Sequence, residues 1–238
     1  LPSNMDGFRL SRGESLMLKR KSEASKLKKN EHLIVIPDAA RILKLVEEML
    51  QMPNDSSYAT LVAPLLLVSG RRMTEILNGR STFSLSSQSR MHAVFNGALK
   101  KRGDGNPFVI PLLVPYDTFM VGFNVLRKKQ GDVSSLSTKE IKSRYDGSLN
   151  RDLAKAMPFL PPCNVHKLRS IYVAIVYEAY NCQSKYSLAK TAMLVCGHEN
   201  LEESLCYNSV HLHPGGIDGM RGSLGELVVG DGEGEGEE

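Results

Sequence analysis

The stretch HKLRSIYVAIVYEAY, residues 166–180, carries a packing signal and a chemical one together. Pro158, Pro161 and Pro162 punctuate the chain before it, so a new helix is expected to begin here. Tyr172, Tyr177 and Tyr180 fall largely on one face at packing positions. His166 and Arg169 stand at i and i+3, share a face, and can reach one substrate. An imidazole and a guanidinium offered from one helical turn need partners from elsewhere in the chain.

Four other segments supply them, and in a fixed order. SGRRMTEIL brings Arg72, FNGALKKRG brings Lys100, CGHEN brings His198 and SLCYNSV brings Tyr207, nine residues beyond His198. Together they hold what metal-free transfer of a phosphodiester to a tyrosine requires. In-line attack loads negative charge onto two non-bridging oxygens, and each preorganised donor placed there is worth roughly 3–4 kcal/mol of barrier. Arginine suits that place, because its planar fork holds two oxygens and keeps its charge. Arg72 and Arg169 come from different helices and would clamp one phosphate from two sides. Lys100, on a turn-rich hairpin tip, is placed to protonate the departing 5′ oxygen. Gly197 lets the backbone turn the His198 imidazole inward. A phenol, with its pKa near ~10, is a poor nucleophile in water, and the cationic surroundings of Tyr207 would make it usable.

Taken singly, each residue has an ordinary reading. Paired arginines after a helix are commonly surface features, a His-x-x-Arg is commonly a solvated helix face, Lys100 and Lys101 could be a charged turn, and Tyr207 could be packing. The ordered set carries the argument.

Around these motifs the chain reads as α+β and mainly helical. AARILKLVEEML follows Pro37-Asp38 with helical spacing, and YATLVAPLLLV is so apolar that its helix should be buried, ending where Gly70 breaks or kinks it before the arginines. STFSLSS, MHAVF and FVIPLLVP predict a small antiparallel sheet with Lys100 and Lys101 at a hairpin tip. Helices are then expected over TFMVGFNVLRKK, IKSRYDGSLNRDLAKAM, the 166–180 stretch, SLAKTAMLVC and NLEESLCYNSV. Residues 1–31 read as a basic arm or linker, 32–212 as the catalytic domain, and 213–238 as a Gly-rich acidic disordered tail. The chain opens on Leu1, which suggests a piece of something longer.

Charge is concentrated in the body. Residues 1–230 hold 30 cationic against 21 anionic side chains, an excess of nine, because five acids lie in 231–238. That suits a polyanionic partner. Lys19, Arg20, Lys21, Lys26, Lys28 and Lys29 are candidate phosphate contacts of the arm, and Arg71 and Lys101 flank the site as further DNA contacts. No apolar run approaches a membrane span, and LPSNMDGFRL lacks the pattern of a secretion signal. Four cysteines without a C-x-x-C pair read as reduced thiols of an intracellular protein. His211 and His213 lack partners for a metal, so none is expected, nor any other cofactor.

The motif set resembles the catalytic domain of the tyrosine recombinase superfamily. Gly70, Arg72 and Glu75 match its first box, Lys100 its hairpin lysine, His166 and Arg169 its second box, and Gly197, His198 and Tyr207 its last, over roughly residues 32–212. The doubled arginine in SGRRMTEI, the FNGALKKRG box and LRSIYVAIVY are most similar to the telomere resolvases, or protelomerases, which reseal cut DNA as covalently closed hairpins. Those enzymes often carry Lys where this chain has His166, which keeps a conventional integrase as the alternative. A DNA-binding relic without catalysis is the third reading, opposed by the intact Tyr207 and both arginines. The resemblance implies a tyrosine-recombinase-type fold and a 3′-phosphotyrosyl intermediate on Tyr207. It implies Arg72, Arg169 and His198 on the transition state, Lys100 as acid, and His166 assisting. It further implies double-stranded DNA as partner, a homodimer on it, and work wherever that DNA lies, in cytoplasm or nucleoid, or in a nucleus.

Overall fold

The computed structural model describes residues 11, 13–18, 21, 33–53, 57–98, 106–198, 202–216, 220 and 223–227, with the backbone alone for 202, 203, 205 and 206. Its centre is the helix α2, Tyr58–Ser69, and the reason is its composition. Ser57 caps it by accepting from the Thr60 N–H at 3.2 Å. Every side chain from Leu61 to Ser69 is buried, so no face is left for water. Around α2 pack α1 (Ala39–Gln51), α4 (Tyr116–Gln130), α5 (Thr138–Ala156) and α6 (Val165–Ala179). Helix α1 is capped by Asp38, whose Oδ1 accepts from the Arg41 N–H at 2.8 Å, and buries Ile42, Leu43, Val46 and Leu50 as its spacing requires.

Gly70 ends α2 in the left-handed region at φ 62°. Two physical demands meet there. A side chain would be strained at that φ, and a Cβ would stand 2.2 Å from the Tyr172 ring of α6. The close approach lets the chain turn at once into the short helix α3, Met73–Leu77, carrying Arg71 and Arg72 past the end of α2.

Three strands follow as expected: β2 (Thr82–Leu85), β3 (His92–Asn96) and β4 (Phe108–Pro111), antiparallel in that order. Phe83 pairs with Phe95 across β2 and β3, and both rings join Phe119 and Phe123 of α4 in one aromatic cluster. The β3–β4 hairpin tip, with Lys100 and Lys101, lies outside the described residues. Tyr172 and Tyr180 are buried and donate to the Pro111 and Leu112 carbonyls at 2.8 and 2.9 Å, fastening α6 to this sheet. Tyr177 is only half buried. Helix α7, Leu188–Cys196, completes the helical set.

Three expectations change. Helix α5 starts at Thr138, earlier than the apolar pattern suggests, because Ser137 and Glu140 form a capping box in the polar stretch before it. The segment around Tyr207 is a 3-10 helix, Glu202–Ser209, and runs directly into a strand, β5 (Val210–Leu212). That strand pairs in parallel with β1 (Ile34–Ile36), so residues 34–36 and 210–212 are brought side by side from opposite ends of the domain. The tail boundary at 213 is also corrected. Pro214–Gly216 forms a 3-10 turn, His213 donates its N–H to the Ile36 carbonyl at 2.9 Å, and a Cβ on Gly216 would stand 2.2 Å from the Pro37 carbonyl oxygen. Met220, Leu224 and Leu227 pack against the core, so apolar residues inside a Gly-rich stretch find a surface there. Residues 228–238 lie outside the described set. At the other end, residues 13–18 are an exposed helical turn capped by Ser11 and Glu14. Lys21 is exposed, and Lys19, Arg20, Lys26, Lys28 and Lys29 lie outside the described residues. Among the described residues, no helix is long and apolar enough to cross a membrane.

Candidate active site

Arg72 is the residue before α3 and keeps 27 % of its side chain exposed. Glu75, one turn on and fully buried, holds it twice. The Arg72 N–H donates to Oε2 and its Nη1 to Oε1, both at 2.8 Å. Burial opposes ionisation of Glu75, but Arg71, Arg169 and Arg72 around it outweigh that and hold its carboxyl below the usual range. A carboxylate ringed by three guanidiniums fixes them relative to one another.

Arg71 has gone elsewhere. It is 2 % exposed, donates Nε to the Ser69 carbonyl at 3.2 Å and Nη2 to the Val195 carbonyl, and lies over the rings of both Phe95 and Phe108. Burial lowers its affinity for its proton and Glu75 opposes that. In this position it offers no donor to a DNA backbone, so its expected role as a DNA contact is withdrawn in favour of a structural one: it ties the end of α2 to the C-terminus of α7, where carbonyls and the helix dipole favour a cation.

The same helix end receives Arg169. From α6 its Nε donates to the Cys196 sulfur at 3.1 Å and its Nη2 to the Cys196 carbonyl at 2.7 Å. It is 8 % exposed, and although burial alone would lower its proton affinity, Cys196, Tyr207 and Glu75 more than offset this. Gly197 then caps α7 at φ 71°, and His198 donates its backbone N–H to the Met193 carbonyl at 3.0 Å, which turns its ring inward. The ring is 6 % exposed. Its Nε2 lies 3.5 Å from Arg169 Nη2 and 3.4 Å from the Tyr207 hydroxyl, and its Nδ1 3.3 Å from Ser204 Oγ. Tyr207 is 5 % exposed and its ring lies 5.6 Å from the imidazole, centre to centre.

Arg72, Arg169, His198 and Tyr207 are therefore linked through Glu75 and through direct contacts. His166 is not in the linkage. It is exposed in the first turn of α6 and makes no hydrogen bond among the described residues. Its neighbour Lys167 instead reaches across to Ser209 Oγ at 2.6 Å, two residues past Tyr207. Lys100 cannot be placed, since it lies outside the described residues. Sequence reasoning missed Ser204, Lys167, Ser209 and Cys196. Only Ser204 had a signal, being one 3-10 turn before the tyrosine. Among the described residues no group of His, Cys, Asp and Glu could hold a metal. Cys163, Cys182 and Cys196 are unpaired, and burial pushes the first two up to about 11.

In this helical frame Glu75 joins Arg72 to Arg169, and Arg169 meets a histidine and a tyrosine that follow α7. The chain belongs to the telomere resolvase ResT/TelK catalytic domain family, which it matches over residues 32–208. Solved structures agree in fold. A protelomerase tela mutant complexed with DNA hairpin product superposes with a TM-score of 0.72 at 21 % identity, over 88 % of this chain and 69 % of that one. A tela variant covalently complexed with substrate DNA gives 0.71 at 23 %, over 88 % and 70 %. Protelomerase TelK complexed with substrate DNA gives 0.65 at 23 %, over 86 % of this chain and 43 % of TelK, so this chain spans under half of that protein. No curated protein matches the sequence.

Proposed function

We propose that this chain is the catalytic core of a telomere resolvase. It cleaves duplex DNA by attack of Tyr207 on a phosphodiester, holds the 3′ end as a phosphotyrosine, and releases hairpin ends when the 5′ hydroxyls attack back across the break. The phosphotyrosyl bond conserves the energy of the one it replaces, so neither ATP nor metal is required. The observation that carries this reading is the buried contact of Tyr207 with His198 and of His198 with Arg169 in a chain of this family. Relatives of the same fold supported by the comparison include one covalently complexed with substrate DNA and one with hairpin product.

In this reading Arg72, Arg169 and His198 stabilise the charge on the non-bridging oxygens, Lys100 protonates the leaving 5′ oxygen, and the exposed His166 assists the phosphate or a proton transfer from the mouth of the site. Lys19, Arg20, Lys21, Lys26, Lys28, Lys29 and Lys101 contact the backbone of double-stranded DNA. Two strands must be cut, so two copies act together on one palindrome, in whichever compartment holds that DNA. Binding weakens steeply with salt as phosphate contacts release counterions.

The test is a palindromic duplex incubated with the protein in chelator without ATP, then run on a denaturing gel. Strands doubling in length as hairpins are expected, and Tyr207→Phe abolishes them. Crossover products would replace this reading with an integrase, and cleavage by Tyr207→Phe would remove Tyr207 as nucleophile.

A further inference from the structure

We propose that Cys196 is a positioning residue of this reaction: its sulfur and its own carbonyl together hold one edge of the Arg169 guanidinium, which aims the rest of that group at a non-bridging phosphate oxygen. The proposal rests on the reading of Arg169 as a phosphate-binding arginine.

A guanidinium is a rigid plane with five N–H donors and no acceptor. Nε–H and Nη2 lie along one edge of that plane. Nε donates to Cys196 Sγ at 3.1 Å, and Nη2 donates to the Cys196 carbonyl at 2.7 Å. Either bond alone would let the plane pivot about it. Two bonds to one residue fix both its place and its rotation. The second Nη2 hydrogen is on the side of His198, whose Nε2 lies 3.5 Å away. The Nη1 end, which Cys196 does not hold, is the part left to meet the phosphate.

Local structure explains why one residue can offer both acceptors. Cys196 is the last residue of α7, so its carbonyl is one of those a helix leaves without an internal N–H. Gly197 then takes the chain away in the left-handed region at φ 71°. The Cys196 side chain is buried beside Ala192 and Val195, where an apolar residue would pack equally well. Such a residue would leave the Arg169 Nε–H buried without its acceptor, and an unsatisfied buried donor is costly. Sulfur accepts only weakly. It therefore orients the guanidinium without competing strongly against an anionic phosphate oxygen. Cys196 acts through Arg169 and not on the phosphate itself.

Cys196→Ala and Cys196→Ser lose similar packing volume, but only serine keeps an acceptor on the side chain. Covalent complex formation is timed for the full chain on a palindromic duplex, with melting curves to verify that each variant is folded. Cys196→Ala should be slower by about 10–100-fold, the scale for a displaced reacting group, and Cys196→Ser should stay close to native. The same proteins are then timed on duplexes in which a methyl group replaces one non-bridging oxygen of the cleaved phosphate, as separated stereoisomers. The isomer lacking the oxygen that Arg169 serves makes no demand on the guanidinium. On it Cys196→Ala should match the native protein, and on the other isomer it should remain slow. A purely structural role would slow Cys196→Ala on both. Equal rates for the alanine and serine variants overturn the proposal, as does a Cys196→Ala defect that persists on both isomers. Arg169→Ala separates the two claims. If it too is slow on ordinary DNA and recovers on one isomer, the phosphate reading stands, and failure of the cysteine variants sinks only the role of Cys196. If Arg169→Ala recovers on neither isomer, or is as fast as native on ordinary DNA, the reading of Arg169 itself fails.

Discussion

Arg71 and Arg72 are adjacent in the chain and end in opposite environments. Arg71 is buried against Phe95 and Phe108 with its guanidinium on the Val195 carbonyl, whereas Arg72 is partly exposed and held by Glu75. The peptide between them turns at the end of α2, so one arginine closes the core while the other stays partly open to solvent. Arg71→Ala is therefore expected to cost about 3–5 kcal/mol, as for removal of one member of a buried charge network. Arg72→Ala should leave the melting temperature little changed and slow DNA cleavage by about 10²–10³-fold. Thermal unfolding and a cleavage gel on both variants check this; the opposite ranking would exchange their roles.

Glu75 makes the site sensitive to acid. Its folded pKa lies below the ordinary 4.5, because three arginines outweigh its burial. A depressed carboxylate contributes stability that is complete above the unfolded pKa and is lost as pH falls through the folded one. Glu75→Gln should cost about 3 kcal/mol at neutral pH by leaving buried guanidiniums without their counter-charge. The gap between native and variant should shrink as pH drops below 4.5. Urea midpoints at neutral and acid pH measure it, and a gap independent of pH would mean that the carboxyl is not ionised in the folded protein.

Much of the frame was legible because it depends on local signals. The apolar run of α2, the spacing of α1 and the Gly70 stop each name their own structure, and the short β-branched segments found their sheet. The pairing of β1 with β5 was not legible, since a three-residue parallel contact between residues 34–36 and 210–212 has no local signature and forms only once the domain closes. The tyrosine segment misled for a related reason. A helix was expected there, but not a 3-10 helix that runs directly into β5 at Val210. Of the site, the order Arg72, Arg169, His198 and Tyr207 was readable. That Arg71 would be buried was not, because two neighbouring guanidiniums look alike until the rings of Phe95 and Phe108 are placed around one of them.

His92 is a second acid-sensitive point, in the sheet and away from the site. It is buried in β3 against the Tyr180 ring, and neither ring nitrogen has a hydrogen-bond partner among the described residues. Burial alone lowers its pKa from 6.5. The unfolded chain therefore takes up a proton that the folded protein resists, and stability declines as pH falls below 6.5. His92→Leu removes two unsatisfied nitrogens at similar volume. It should stabilise by about 1 kcal/mol at neutral pH and by more in mild acid. Melting temperatures across that range check it, and a variant with the native slope would assign the acid sensitivity to other groups.

Lys167 and Ser209 tie the tyrosine segment to the helix that carries Arg169. The ammonium reaches the serine hydroxyl at 2.6 Å, two residues past Tyr207 and just before β5 begins. A charged hydrogen bond of this kind is worth about 1.5–3 kcal/mol, and here it joins the helix that carries Arg169 to the segment that carries Tyr207. Lys167→Met and Ser209→Ala should each slow covalent complex formation by about tenfold, in line with the sensitivity of reaction rates to small misplacements. The double variant should be little worse than either, because both remove one interaction. A double-mutant cycle on the cleavage rate decides the matter: additive losses would mean that the two residues act separately, Lys167 on the DNA and Ser209 within the fold.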